Sequence, residues 1–308
     1  MREEIILDVD TGHDDAVAIC LACAADELKV LGITTVAGNS TVENTTMNTL
    51  KVLTLLEKTN IPVARGCHKP LLRSLVTGEE IHGRSGLDGA ELPLPHISPI
   101  TMHGVNFLID TLQKSDAPVT IVATAPLTNI ALMFILAPNV ALKIKRIVLM
   151  GGAICGGNRS PCAEFNIYVD PEAAKIVFES GVPITMVGLD VTEKTVLTEE
   201  EICDVFKSDT WRNLMLFYAQ RRAIVRGKFG AVLHDAVAVA AVLNSRLLRT
   251  ELLPVAVETE GGVTRGMTVV DRRGKSPGLT GSIIEVAVDI DVSRFKEMLA
   301  YYVSKLGI

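Results

Sequence analysis

Residues 4–18 read Glu-Ile-Ile-Leu-Asp-Val-Asp-Thr-Gly-His-Asp-Asp-Ala-Val-Ala. Glu4 to Val9 is an apolar, β-branched run of strand length that stops at an acidic cluster. Gly12 permits a sharp turn, and Asp14-Asp15 start a helix rich in Ala and Leu that runs to Ala25. The same alternation continues outward. Val30 to Val36 is a second apolar strand, ending at Ala37-Gly38-Asn39. Thr41 to Thr59 is a helix whose Met47, Leu50, Leu53 and Leu56 recur near the helical period. Ile61 to Ala64 is a short third strand. Further strands follow at Val119–Ala123, Arg146–Met150 and Ile184–Val187. Helices are expected from Leu127, over Pro171–Gly181, over 198–226 in two pieces, and over His234–Leu243. Apolar strands bounded by turns and separated by helices point to an α/β fold, with a mostly parallel central sheet flanked by helices in a Rossmann-like open arrangement. After Leu252 the strand-like stretches Val255–Glu258, Met267–Val270 and Ile283–Val288 alternate with Gly-rich turns, which predicts a small antiparallel addition before a final helix, Val292–Leu306.

The chain has 308 residues, 48% hydrophobic and 21% charged, enough for a large core. No repeat, low-complexity tract or linker interrupts it, so one domain over 1–308 is the simplest account. Residues 66–100 break the rhythm with five Gly, four Pro and three His. A loop-rich insertion of that length is often functional. Lys and Arg number 30 against 36 Asp and Glu, a net charge of −6 without a basic block, which argues against a nucleic-acid partner. No apolar run is long enough for a membrane span, and the acidic start does not make a signal peptide. Six cysteines without a disulfide spacing point to the cytoplasm. Cys20 and Cys23 are read as small buried apolar residues.

Asp8, Asp10, Asp14 and Asp15 crowd four carboxylates into eight residues. A helix cap and the helix dipole account for Asp14 and Asp15, not for Asp8 and Asp10 as well. A bound cation among them would relieve the repulsion, and an all-oxygen set suits Ca²⁺ or Mg²⁺. In open α/β sheets ligands bind beyond the carboxyl ends of the strands. Asn39, Thr124, Asn158, Glu164, Asn166 and the pair His234-Asp235 all fall at such ends. Together they suit a metal-bound water and a polyhydroxylated substrate. His13 is read as a turn residue beside the acidic loop.

At these residues the sequence resembles the inosine-uridine-preferring nucleoside hydrolase family. The run Asp8-Val9-Asp10-Thr11-Gly12-His13-Asp14-Asp15-Ala16 is similar to its signature D-x-D-P-G-x-D-D-A. Matching blocks follow in the family's order: Thr35-Val36-Ala37-Gly38-Asn39, Pro126-Leu127-Thr128-Asn129, Val148-Leu149-Met150-Gly151-Gly152, Ala163-Glu164-Phe165-Asn166, Asp170-Pro171-Glu172-Ala173-Ala174 and His234-Asp235. Thr11 and Ala125 depart from the usual Pro and Gly without removing a ligand side chain. The resemblance implies calcium-dependent cleavage of the N-glycosidic bond of ribonucleosides. It implies Ca²⁺ held by Asp10, Asp15, Asp235 and the carbonyl of Thr124, with Asp10 also taking the proton of the metal-bound water. Asp14, Asn158, Glu164 and Asn166, with Asn39 nearby, match the family's ribose-gripping residues. It further implies a homo-oligomer, dimeric or tetrameric, and a helical lid at about 209–230.

A departing base needs a hydrogen-bond or proton donor, for which His is suited near neutral pH. His234 precedes Asp235, and His82 lies in the loop-rich insertion. The pyrimidine-preferring and broad-specificity branches carry His at both places, so the resemblance assigns both to base departure. Purine-specific relatives stack the base between tryptophans, and one Trp (Trp211) does not supply that. Uridine, cytidine or a mixed inosine-uridine preference is expected. Arg222 and Arg226 either contact the base or line a solvated helix face. The alternatives are a haloacid-dehalogenase-like Mg²⁺ phosphatase, which would need Thr or Val where Gly12 stands, and a non-catalytic nucleoside-binding protein.

Overall fold

The computed structural model describes residues 2–273 and 281–308. Its strands, in chain order, are β1 (Glu3–Val9), β2 (Leu28–Thr35), β3 (Val63–Arg65), β4 (Val119–Ala123), β5 (Ile144–Met150), β6 (Ile184–Val187), β7 (Val196–Leu197), β8 (Ala231–Val232), β9 (Leu248–Val257), β10 (Thr268–Val270) and β11 (Ser282–Ile290). Nine of them form one sheet in the order β10-β9-β11-β6-β5-β4-β1-β2-β3. The six strands from β3 to β6 are parallel to their neighbours. Their order, 3-2-1-4-5-6, is the doubly wound one, whose winding reverses between β1 and β4. Ligand crevices open at that reversal, beyond the strands' carboxyl ends.

The antiparallel addition expected near the C-terminus is present. β9 pairs antiparallel with both β10 and β11, but β11 also pairs parallel with β6, so the addition extends the central sheet. The ladder with β11 carries β9 back to Leu248, where polar and charged residues gave no strand signal. Pairing outweighs local propensity there. The expected Gly-rich turn before Ile283 lies partly outside the described residues. The helix expected to reach Thr59 ends at Leu55, and Glu57 turns the chain with a left-handed φ of 56°. A helix at Gly104–Lys114 was not foreseen; it starts on Gly and is capped by a His, both weak start signals. The expected helices at 198–226 are Glu199–Val205 and Asp209–Arg226.

Alternation along β1 sends Ile5, Leu7 and Val9 into one core layer and Ile6 into the opposite one. The sheet is thus covered on both faces. The helix His13–Ala24 is buried almost all round, Cys23 alone being partly exposed. It packs beside the Ala- and Val-rich helix His234–Leu243. Small side chains let the two axes approach closely. Each fully buried Val or Ile there contributes about 1.5–3 kcal/mol. This packing matters for function because both helices begin at the carboxyl edge of the sheet and carry Asp14, Asp15 and Asp235 in their first turns. No helix among the described residues is long and apolar enough to cross a membrane.

Candidate active site

The crevice floor is built from the end of β1 and two helix starts. Carboxylate oxygens of Asp14, Asp15 and Asp235 lie within 4.8 Å of one another, and all three residues are buried. Asp15 Oδ2 accepts from the Gly12 amide at 2.9 Å and from Asn39 Nδ2 at 3.2 Å, while its Oδ1 accepts from the Thr124 hydroxyl at 2.7 Å. Asp10 Oδ2 accepts from the Asn39 amide at 2.7 Å. Asp10 Oδ1 and Asp14 Oδ1 are buried with no hydrogen-bond partner among the described residues. Asp8 stands behind, accepting from Thr34 Oγ1 and from Asn129 Nδ2 at 2.8 Å.

Such crowding has an electrostatic consequence. Burial, then the neighbouring carboxylates, hold Asp10 and Asp235 far above the usual range and push Asp14 up to about 8. Burial pushes Asp8 up to about 7. Two N-terminal helix dipoles offset only part of this. Orphaned carboxylate oxygens and an all-oxygen donor set fit a hard divalent cation. The resulting linkage has a definite sign. Carboxyls with raised folded pKa values bind protons more tightly in the folded state, so their stabilising effect is lost as pH rises. The metal-free protein is expected to lose Tm as pH rises from the ordinary 3.8 through the Asp14 value of about 8. Saturating calcium should flatten that slope in a thermal-melt series, and an unchanged slope would count against a cation here.

Above the floor, one cleft is lined by Asp14, Asn39, His82, Thr124, Asn158, Glu164, Asn166, His234 and Asp235. Every site residue expected from sequence is therefore in its wall, except Asp10 and Asp15, which bond directly to wall residues. Asn166 Nδ2 donates to the carbonyls of Thr124 (3.0 Å) and Met150 (3.1 Å), tying β4 to β5. Glu164 caps the helix Phe165–Val169, accepting from the Gly152, Asn166 and Ile167 amides. Its carboxylate anchors Asn166 through the backbone. Asn158 Oδ1 likewise accepts from the Phe165 amide at 2.8 Å.

The other end of the cleft is aromatic. His82 and Tyr218 stack with ring centroids 5.4 Å apart, and His234 Nδ1 meets the Thr192 hydroxyl at 2.8 Å. Burial pushes His234 down to about 4 and holds His82 well below the usual range, so both rings are neutral near pH 7. They act as hydrogen-bonding groups here rather than as pre-charged acids.

His13 is not the turn residue expected. It is fully buried in the first helical turn, with Nε2 2.7 Å from the Asp88 carbonyl and Nδ1 3.1 Å from His82 Nδ1. Tyr218, Ile81 and Phe165 also line the cleft and were not singled out from sequence. Arg222 does not face solvent; it is buried and pairs with Glu193 at 2.9 Å. Arg226 donates to the Asn158 carbonyl, and Arg221 to the Glu80 carbonyl, so the helix Asp209–Arg226 is fastened across the cleft to both neighbouring loops. Trp211 is in the core against Phe206, away from the cleft lining. Cys20 is buried and Cys23 partly so, and burial pushes both thiols up.

A family model described as inosine-uridine preferring nucleoside hydrolase matches residues 5–297. The chain belongs to this family. A pyrimidine-specific ribonucleoside hydrolase, RihA of Escherichia coli O1:K1 / APEC, is 47% identical, the match covering 97% of this chain and 98% of that protein. A solved plant nucleoside hydrolase, PpNRh1, superposes with a TM-score of 0.92 at 30% identity, over 98% of this chain and 99% of the other. A purine-preferring ribonucleoside hydrolase from Gardnerella vaginalis does so with 0.91 at 34%, over 99% of each chain. The nucleoside hydrolase here is thus an enzyme that cleaves the N-glycosidic bond of ribonucleosides. The matches lend no support to a phosphatase or a non-catalytic binder. Relatives named for opposite base preferences share this fold, so the base must be read by side chains rather than architecture.

Proposed function

We propose that the chain is a calcium-dependent ribonucleoside hydrolase that prefers uridine and cytidine. The observation carrying this reading is the three buried carboxylates within 4.8 Å at the sheet's reversal point, beside the unpartnered oxygen of Asp10. Asp10, Asp15, Asp235 and the Thr124 carbonyl would hold Ca²⁺, with Asp14 within reach. When bound, the ion would lower the pKa of a water and orient the ribose 2′- and 3′-hydroxyls. Asp10 Oδ1 takes the proton of the attacking water, since Oδ2 is occupied by the Asn39 amide. Asp14, Asn39, Asn158, Glu164 and Asn166 grip the ribose. Their oxygens favour the positive charge that develops on the ring as the bond to the base breaks. His82 and His234 meet the base at the aromatic end and stabilise its departure.

A pyrimidine preference is supported by the 47% identity to a pyrimidine-specific relative and by the absence of Trp from the cleft lining. We propose further a single domain over 1–308, with a lid formed around the helix Asp209–Arg226. Assembly into a homodimer or homotetramer and a cytoplasmic location complete the reading; six free cysteines support the latter. The test is ribose release from uridine, cytidine, inosine, adenosine and 2′-deoxyuridine. Uridine and cytidine are expected to lead, and 2′-deoxyuridine to fall at least ~10²-fold behind uridine, because a buried polar set loses its partner. Adenosine leading, or deoxyuridine keeping pace, would contradict the reading.

A further inference from the structure

We propose that His13 is a positioning residue that sets which nitrogen of His82 carries hydrogen, so that His82 offers the base a lone pair rather than an N–H. The proposal rests on the reading above, in which His82 meets the base.

The two ring contacts of His13 carry the assignment. His13 Nε2 lies 2.7 Å from the Asp88 carbonyl, which only accepts, so this nitrogen carries hydrogen. His13 is fully buried and forms no ion pair among the described residues, so its imidazole is neutral and Nδ1 is bare. That atom lies 3.1 Å from His82 Nδ1, and only one hydrogen fits between them. It belongs to His82, whose Nε2 is left with its lone pair. The His13 backbone N–H also donates toward His82 Nδ1, at 3.4 Å; this long contact competes with the ring pair and yields to the shorter 3.1 Å one.

Neighbouring groups hold this arrangement. The Asp88 amide donates to the His82 carbonyl at 3.2 Å, so the loop that presents His82 also supplies the acceptor for His13. The Asp88 carboxylate is occupied by the Arg84 and Ser85 amides, which fixes the turn. Tyr218 stacks on both rings, at 5.3 Å from His13 and 5.4 Å from His82, and Phe217 stacks on His13 at 5.6 Å. Gly12 leaves the space, since a Cβ there would stand 2.6 Å from His82 Nδ1. Nε2 of His82, a cleft-lining residue, has no protein partner among the described residues.

The chemistry divides the two cleft histidines. His82 accepts from an N–H of the base, such as the ring imide of uracil or the exocyclic amine of cytosine, so it binds the base, and the help to departure proposed above falls to His234. His234 Nδ1 faces a hydroxyl, which both donates and accepts, so His234 is free to donate to the departing base.

The experiment uses the calcium-loaded full chain labelled with nitrogen-15, with His82 assigned by long-range nitrogen–proton correlation. The expected spectrum has hydrogen on His82 Nδ1 and none on Nε2. His13→Phe keeps a ring in the stack and removes the acceptor; it is expected to mix the tautomers and lower kcat/KM for uridine about ten-fold, mainly through KM. In His13→Asn the amide oxygen replaces Nδ1 as acceptor, so most of that loss should return. Hydrogen on His82 Nε2 in the unsubstituted protein would overturn the proposal, as would an unchanged tautomer in His13→Phe. A merely structural His13 would lower the Tm of both variants and leave the tautomer alone. If His13→Phe does not fold, the unsubstituted spectrum decides alone. Absence of any ribonucleoside hydrolysis would sink the functional reading, while the nitrogen shifts would still settle the tautomer.

Discussion

Asp10→Asn is expected to lower kcat for uridine by about 10³-fold with KM changed only a few-fold. The substitution keeps the shape and the contact with the Asn39 amide, which donates to Oδ2 at 2.7 Å. It removes the basicity of Oδ1, the buried atom without a partner. General-base groups are worth about 10²–10⁴-fold, and loss in kcat alone marks an interaction made in the transition state. Calcium affinity, read by titration calorimetry, should fall less than for Asp235→Asn. Full activity in Asp10→Asn would remove Asp10 from the base role. A rise in KM that accounts for the whole loss would make it a binding residue only.

Gly38→Ala should be nearly as damaging although Gly38 bears no functional group. A Cβ at this position would stand 2.0 Å from Asp10 Oδ2 and 2.8 Å from Pro126 Cδ. Neither neighbour can yield easily, because Asp10 is fully buried and Pro126 is rigid. Overpacking of this kind costs about 1–3 kcal/mol. The carboxylate would be pushed off the Asn39 amide, so activity should drop about 10²-fold as well. Gly262→Ala is the control, since an added methyl there meets nothing within 4 Å. Gly38→Ala with unchanged Tm and kcat would mean that the approach of backbone to carboxylate is unimportant.

The parallel sheet was legible because its strands are short apolar runs with clear turn signals. Val119–Ala123 and Ile184–Val187 coincide with β4 and β6, and His234–Leu243 is the observed helix. The floor of the cleft was legible for a related reason. Four carboxylates in eight residues have no purely local explanation, and strand ends mark the crevice. What escaped was set by long-range packing. Nothing near His13 in sequence reveals that residue 88 supplies its acceptor or that residue 218 stacks on it. Tyr218 sits on a helix of mixed polarity, where its burial depends on what the 78–88 loop covers. Arg222 reads from sequence as either a base contact or a solvated charge; only the structure shows it buried in the cleft wall beside Glu193. The early part of β9 is a strand because β11 pairs with it, which no local pattern encodes.

Release of ribose from uridine, followed before chelation, after chelation and after calcium is restored, tests the central claim most directly. The buried cluster of Asp14, Asp15 and Asp235 with the orphaned Asp10 oxygen predicts that activity falls to background with chelator and returns with calcium. Hydrolysis that continues undiminished in a protein shown to be metal-free would contradict it.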